Sequence, residues 1–151
     1  MKNRVISILI FILCISCSKS LCPLKDGYVL NNEEVHLYDI SDSFNNIHIR
    51  SINYNKVHSF SDGQVDKVIQ NEDGYYMVFI SSEYDTLSLN YVYSNLNNVF
   101  VKVGEKINHQ NVLGSLNSDK NEGEYILIFS MLQGTLKIDP RLYLDCKNIS
   151  K

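Results

Sequence analysis

Four cysteines and four histidines carry most of the chemistry that this chain offers. Cys14, Cys17 and Cys22 lie in or beside an apolar leader, and Cys146 stands near the other end, so no metal-type Cys spacing exists. The imidazoles are His36, His48, His58 and His109. His48 and His58 fall on neighbouring predicted strands and can approach each other. Zinc needs a further ligand with matched geometry, and no spacing here supplies one. His109 follows Asn108 in the turn between Gly104 and Gly114 and is expected to be exposed. A nucleophile is equally hard to find. There is no Gly-x-Ser-x-Gly elbow, and Cys22 and Cys146 sit at the ends of the expected domain. Glu33-Glu34 and the Asp39/Asp42 pair occupy turn-like segments and read as solvated charge. No Gly-rich phosphate loop is present.

The frame that must position these residues is small. The chain has 151 residues, enough for one domain. A formal net charge of −3 gives no broad basic field, which excludes nucleic acid as the expected partner. Hydrophobic residues make up 44%, too many for a disordered chain. Ala and Trp are absent and there are 10 Tyr. Without Ala the chain lacks the best helix former, and its Ile, Val, Tyr and Phe favour strands. The composition therefore predicts an all-β domain.

The first residues read as an address. Lys2 and Arg4 precede an apolar run from Val5 to Ile15 broken only by Ser7. Eleven residues are too few to span a bilayer, which needs about 20 in a helix. They fit a signal-peptide core. The run ends in Cys14-Ile15-Ser16-Cys17, which resembles a bacterial lipobox. That resemblance implies cleavage before Cys17, lipid on Cys17, and residues 17–26 as a lipidated tether. An ordinary cleaved signal with a free thiol is the alternative. Lipid anchoring would keep the protein at a membrane without a spanning helix. Removing residues 1–16 takes away Lys2 and Arg4 and leaves 135 residues, with 12 positive against 17 negative charges and a net of −5. Cys22 and Cys146 then remain. In an oxidising compartment they either pair or stay as two thiols, and the sequence leaves both open.

Residues 27–151 read as short strands. Alternating and β-branched runs are expected at Gly27–Asn31, Val35–Asp39, Asn46–Arg50, Lys56–Phe60, Gln64–Gln70, Tyr75–Ser81, Thr86–Tyr93, Val99–Val103, Val112–Leu116, Glu124–Met131 and Leu136–Ile138. Turn signals such as Ser61-Asp62-Gly63, Asn71-Glu72-Asp73-Gly74 and Gln133-Gly134 separate them. Only Asp139-Pro140-Arg141-Leu142-Tyr143-Leu144 looks like a closing helical turn.

Several of these segments fall in a familiar order. Asp62-Gly63-Gln64-Val65 is followed by Tyr75–Ile80, then Tyr93-Ser94-Asn95-Leu96. Next come Val101-Lys102-Val103-Gly104-Glu105-Lys106-Ile107, Val112-Leu113-Gly114 and the ending Ile138-Asp139-Pro140-Arg141-Leu142-Tyr143-Leu144. The order resembles the LytM/lysostaphin-type zinc endopeptidases that cut peptidoglycan cross-bridges, over residues 44–144. The resemblance implies an antiparallel β-sandwich of the barrel-sandwich (duplicated hybrid motif) type with little helix. The barrel-sandwich relation also raises a lipoyl-type carrier, since Asp66-Lys67-Val68 has the right pair. That pair falls inside a strand run rather than on a hairpin tip.

The resemblance further implies a site made of His-x-x-x-Asp before the Asp-Gly strand, the His of a Tyr-x-His-Leu segment, and a His-x-His pair on the late strand. A His-x-His pair on a strand puts both imidazoles on one face, where one ligates zinc and the other polarises water. Here Phe44 stands at the first His and His48 at the Asp. Asn95 replaces the next His. The late strand Glu124–Ser130 holds no His, so the pair falls on Tyr125 and Leu127, or on Ile126 and Ile128. Zinc is expected from the family, but its ligands are absent. The expected protein is a lipid-anchored, catalytically inactive LytM-like domain of the bacterial envelope. Phe44, His48, Asn95, Tyr125 and Leu127 would form a binding groove for peptidoglycan or for a cell-wall hydrolase. An active metalloendopeptidase with an unconventional site and a purely structural envelope lipoprotein are the alternatives.

Overall fold

A computed structural model describes residues 22–30, 46–84, 87–119 and 123–149. The strands are β1 (Tyr28–Leu30), β2 (Ile47–Ser51), β3 (Lys56–His58), β4 (Gly63–Gln70), β5 (Tyr76–Tyr84) and β6 (Leu87–Leu96). They continue with β7 (Asn98–Val99), β8 (Lys106–Ile107), β9 (Val112–Ser115), β10 (Tyr125–Gln133), β11 (Leu136–Ile138) and β12 (Lys147–Ile149). A single 3-10 turn, Pro140–Leu142, lies between β11 and β12. The all-β expectation holds. No helix among the described residues is long and apolar enough to cross a membrane.

The strands form two sheets. The larger runs β12-β1-β2-β10-β6-β5-β4-β8, with β11 added to the end of β10; the smaller runs β3-β9-β7. Pairing is antiparallel except between β1 and β12, which run parallel in the register Tyr28↔Lys147, Val29↔Asn148, Leu30↔Ile149. That pair departs from the purely antiparallel expectation. It joins the first and last of these strands, and a parallel pair cannot be closed by a hairpin.

Period-two alternation decides what is buried. In β2, Ile47, Ile49 and Ser51 point inward while His48 and Arg50 point outward. In β10, Leu127, Phe129 and Met131 are buried. On β6 and β5 the inward set includes Leu89, Tyr91, Tyr93, Val78 and Ile80. These side chains share one core with Val57 of β3 and Leu113 of β9. Aromatic rings fill its centre: Phe60 meets Tyr91 edge-on at 5.3 Å, and Tyr93 meets Phe129 at 5.1 Å. The Tyr93 hydroxyl accepts from the Phe60 N–H at 2.8 Å, so this phenol is buried with a partner. Burial pushes its pKa far above the usual phenol range.

Several sequence expectations shift. Val99–Val103 was expected as a strand, yet the strand is Asn98–Val99, followed by one more backbone bond from the Phe100 N–H to the Leu113 carbonyl before the chain reaches Gly104 at φ +84. Of the tether expected at 17–26, the described residues belong to the fold instead, since Leu24 is fully buried and bridges Val57. The Pro23 carbonyl also accepts from the His58 N–H at 2.8 Å. The expected strand at Val35–Asp39 and the lipidation position Cys17 lie outside the described residues. The closing turn is present, with Asp139 as its cap and Pro140 at its first position, where a missing N–H costs nothing.

Candidate functional site

Three neighbouring strands of the large sheet carry the positions that matter. Register places His48 opposite Ile128, and Ile128 opposite Ser94. One row along, Tyr28 lies opposite Arg50, and Arg50 opposite Ile126. Directly opposed residues of adjacent strands share a face. His48, Arg50, Ile126, Ile128 and Ser94 therefore share the face turned away from the core, and all are half-buried.

Asn95 joins them through backbone geometry. Its φ of +71 puts it in the left-handed region, where Asn is tolerated better than most residues. From there its Nδ2 donates to the Ile126 carbonyl at 2.7 Å. Tyr93 and Leu96, on either side of Ser94-Asn95, are both buried.

A polar cluster closes the end of this face. The Tyr28 hydroxyl donates to Glu124 Oε1, and Arg50 Nη1 donates to Glu124 Oε2 at 3.2 Å. The Arg50 and Glu124 side chains are only 12% and 18% exposed, so this ion pair is better shielded than a surface one.

The expected groove needs correcting in one respect. Leu127 is fully buried and lies opposite Ile49, on the core side of the sheet. Tyr125, two residues before it and opposite Ser51, shares that side and packs against the core. Neither shares a face with His48. Given His48 at the Asp position, the register aligns the missing His-x-His pair with Ile126 and Ile128. His48 and Asn95 do border one surface, and Phe44 lies outside the described residues.

The other imidazoles are scattered. His48 lies on β2 of the large sheet and His58 on β3 of the small one, so the two are not on neighbouring strands as expected. His58 Nδ1 meets the Gln110 carbonyl at 3.0 Å. His109 is half-buried rather than exposed, with Nδ1 at 2.9 Å from the Phe60 carbonyl and its N–H donated to Asp62 Oδ1. Asp66 and Lys67 lie within β4 at a bulge, away from any hairpin tip. Among the described residues no group of three or more His, Cys, Asp or Glu side chains is placed to hold a metal ion. Isoleucine at both positions of the expected His-x-His pair, one of which is the ligand, offers zinc no donor, and the Asn95 amide replaces an imidazole expected to polarise water rather than to ligate.

Sequence reasoning missed Tyr28, Arg50 and Glu124. The Tyr28 and Glu124 positions are 96 residues apart, and only the strand order β1-β2-β10 brings them together. The alternation of Ile47 and Ile49 did carry a signal, since it forces Arg50 outward beside His48. Cys22 and Cys146, left open by the sequence, form a disulfide across a separation of 124 residues.

Solved structures share the fold at low identity. Lysostaphin from Staphylococcus simulans, titled an antimicrobial peptidase, superposes with a TM-score of 0.54 at 18% identity, over 66% of this chain and 42% of that one. This chain thus spans less than half of lysostaphin's length. A mutant catalytic domain of the prophage-encoded M23 protein EnpA from Enterococcus faecalis gives 0.53 at 18%, over 74% of this chain and 85% of that one. A chain of the SpoIIQ–SpoIIIAH pore-forming complex gives 0.50 at 22%, over 66% and 63%. No curated protein sequence matches. The family model for peptidase family M23 matches residues 44–140, nearly two thirds of the chain and most of both sheets. The chain belongs to peptidase family M23.

Proposed function

We propose that this protein is a lipid-anchored component of the bacterial cell envelope whose M23 domain is catalytically inactive. It binds peptidoglycan, or regulates a separate cell-wall hydrolase, through the outer face of its large sheet. The lipid is carried by Cys17, and the anchored chain enters the fold at Cys22. The observation that carries this reading is the row His48–Ile128–Ser94 with its neighbour Arg50–Ile126. It sets aliphatic side chains where water activation in this family calls for imidazole. Isoleucine neither ligates a metal nor moves a proton. What such a face retains is shape, an Asn95 amide and the shielded Arg50–Glu124 pair at its end, which suit binding. A protein partner has support of its own, since the SpoIIQ–SpoIIIAH structure places this fold in a protein assembly.

The test uses residues 18–151. Bound zinc is measured, and purified peptidoglycan is digested with and without chelator. The expected result is no stoichiometric zinc and no chelator-sensitive cleavage; finding both would overturn the inactive reading. Co-sedimentation with insoluble peptidoglycan is expected for a wall binder, and its absence directs the search to a protein partner.

A further inference from the structure

The strand pair β1/β12 lies outside the residues that match the family, 44–140. Three things hold it: the three-residue parallel register, the core contacts of Leu24 and Val29, and the Cys22–Cys146 disulfide. Packing around the disulfide is close. A Cβ on Gly27 would lie 2.7 Å from Cys22 Sγ and 2.8 Å from Ile49 Cγ2. The Lys147 N–H donates to the Gly27 carbonyl at 3.0 Å, so both cysteines flank the same seam. This seam reaches the candidate face, because Tyr28 of β1 donates to Glu124, which also accepts from Arg50 of β2.

We propose that the Cys22–Cys146 disulfide is a redox latch that holds β1 and β12 on the sheet and, through Tyr28, fixes the polar end of the candidate face. A dithiol reductant opens it. One thiolate of the reductant attacks Sγ of Cys22, the less buried of the two residues, and Cys146 leaves as thiolate. The second thiol of the reductant resolves the mixed disulfide and releases Cys22. Two electrons pass to the protein, both cysteines end as thiols after protonation, and the reductant is left oxidised. With the staple gone, short terminal strands of this kind belong to the low-stability end of a fold. Their release uncovers the edge of β2 that carries His48 and Arg50. The latch stands on the strand pairing; its effect on binding rests on the function proposed above.

Amide hydrogen exchange on the purified protein, oxidised and then reduced with dithiothreitol, tests it. Exchange is expected to rise about tenfold or more at Tyr28–Leu30, Arg50 and Lys147–Ile149, while β5 and β6 stay protected. The double variant C22S/C146S is expected to show the same selective pattern without reductant. Unchanged protection would overturn the latch. So would a rise across the whole fold or a double variant that does not fold, since either makes the bond a global staple. Sacculus binding, measured in both redox states, separates the two readings: none in either state counts against wall binding, and the exchange pattern still decides the latch.

Discussion

Asn95 and Ile126 are joined by a hydrogen bond from side-chain amide to backbone carbonyl, 2.7 Å long, across the β6/β10 border. The bond depends on Asn95 holding a left-handed backbone. Replacing Asn95 with Ala removes the donor and puts a Cβ-bearing residue without local compensation at φ +71. The loss is about 1 kcal/mol for the bond and a further 1 kcal/mol or so for the backbone. Asn95→Gly removes the bond but accepts the backbone, so its loss is expected to be smaller. Urea unfolding of the two variants checks the order, and equal losses would show that the backbone conformation contributes nothing.

The facing of β10 gives a second prediction. Leu127→His places an imidazole in a fully buried core site opposite Ile49, and is expected to destabilise by about 3–5 kcal/mol. Ile128→His alters a half-buried position on the outer face and is expected to cost less than about 2 kcal/mol. Thermal unfolding of both compares the faces. The reverse order would mean that β10 is turned the other way, with the groove on the Tyr125–Leu127 side.

Much of the fold was legible in the chain because it rests on local patterns. Alternation in Ile47-His48-Ile49-Arg50 and the β-rich composition foretold strands, and Leu136–Ile138 appears as read. Lys147-Asn148-Ile149 has no such pattern; it is a strand only because β1 offers a parallel edge and a disulfide holds it there. The candidate site divides the same way. That the family's imidazoles are missing is visible residue by residue, whereas choosing between the Tyr125/Leu127 and Ile126/Ile128 pairs needs the register with His48. A one-residue ambiguity in a strand exchanges its faces, and no composition resolves that.

The Tyr28–Glu124–Arg50 cluster makes a third prediction. Tyr28→Phe keeps the ring and removes one donor to a shielded carboxylate. A hydrogen bond to a charged group contributes about 1.5–3 kcal/mol, and partial exposure favours the lower end. The expected loss is about 1–2 kcal/mol. In a double-mutant cycle, Tyr28→Phe and Glu124→Gln should fall short of additivity by about 0.5 kcal/mol or more, since they share one contact. Additive losses would mean that the hydroxyl stabilises the fold through some other partner.

Asp139 supplies a pH signature. Hydrogen bonds from the Arg141 guanidinium hold its carboxyl below the usual carboxylate range, opposed by some desolvation and helped by the Arg141 N–H. A carboxylate whose pKa is depressed by folding is bound to fewer protons in the folded than in the unfolded chain at acid pH. Its contribution is therefore complete above the unfolded value near 4 and fades as pH falls through the lower folded value. Both partners are substantially exposed, so the pair and cap together are expected to contribute no more than about 1 kcal/mol. Asp139→Asn keeps a capping oxygen and loses the charge. Its stability should trail the parent at pH 7 and converge with it at the acid end of the range in which both remain folded. A gap that stays constant across that range would assign the effect to the cap alone and remove the ion pair from the account.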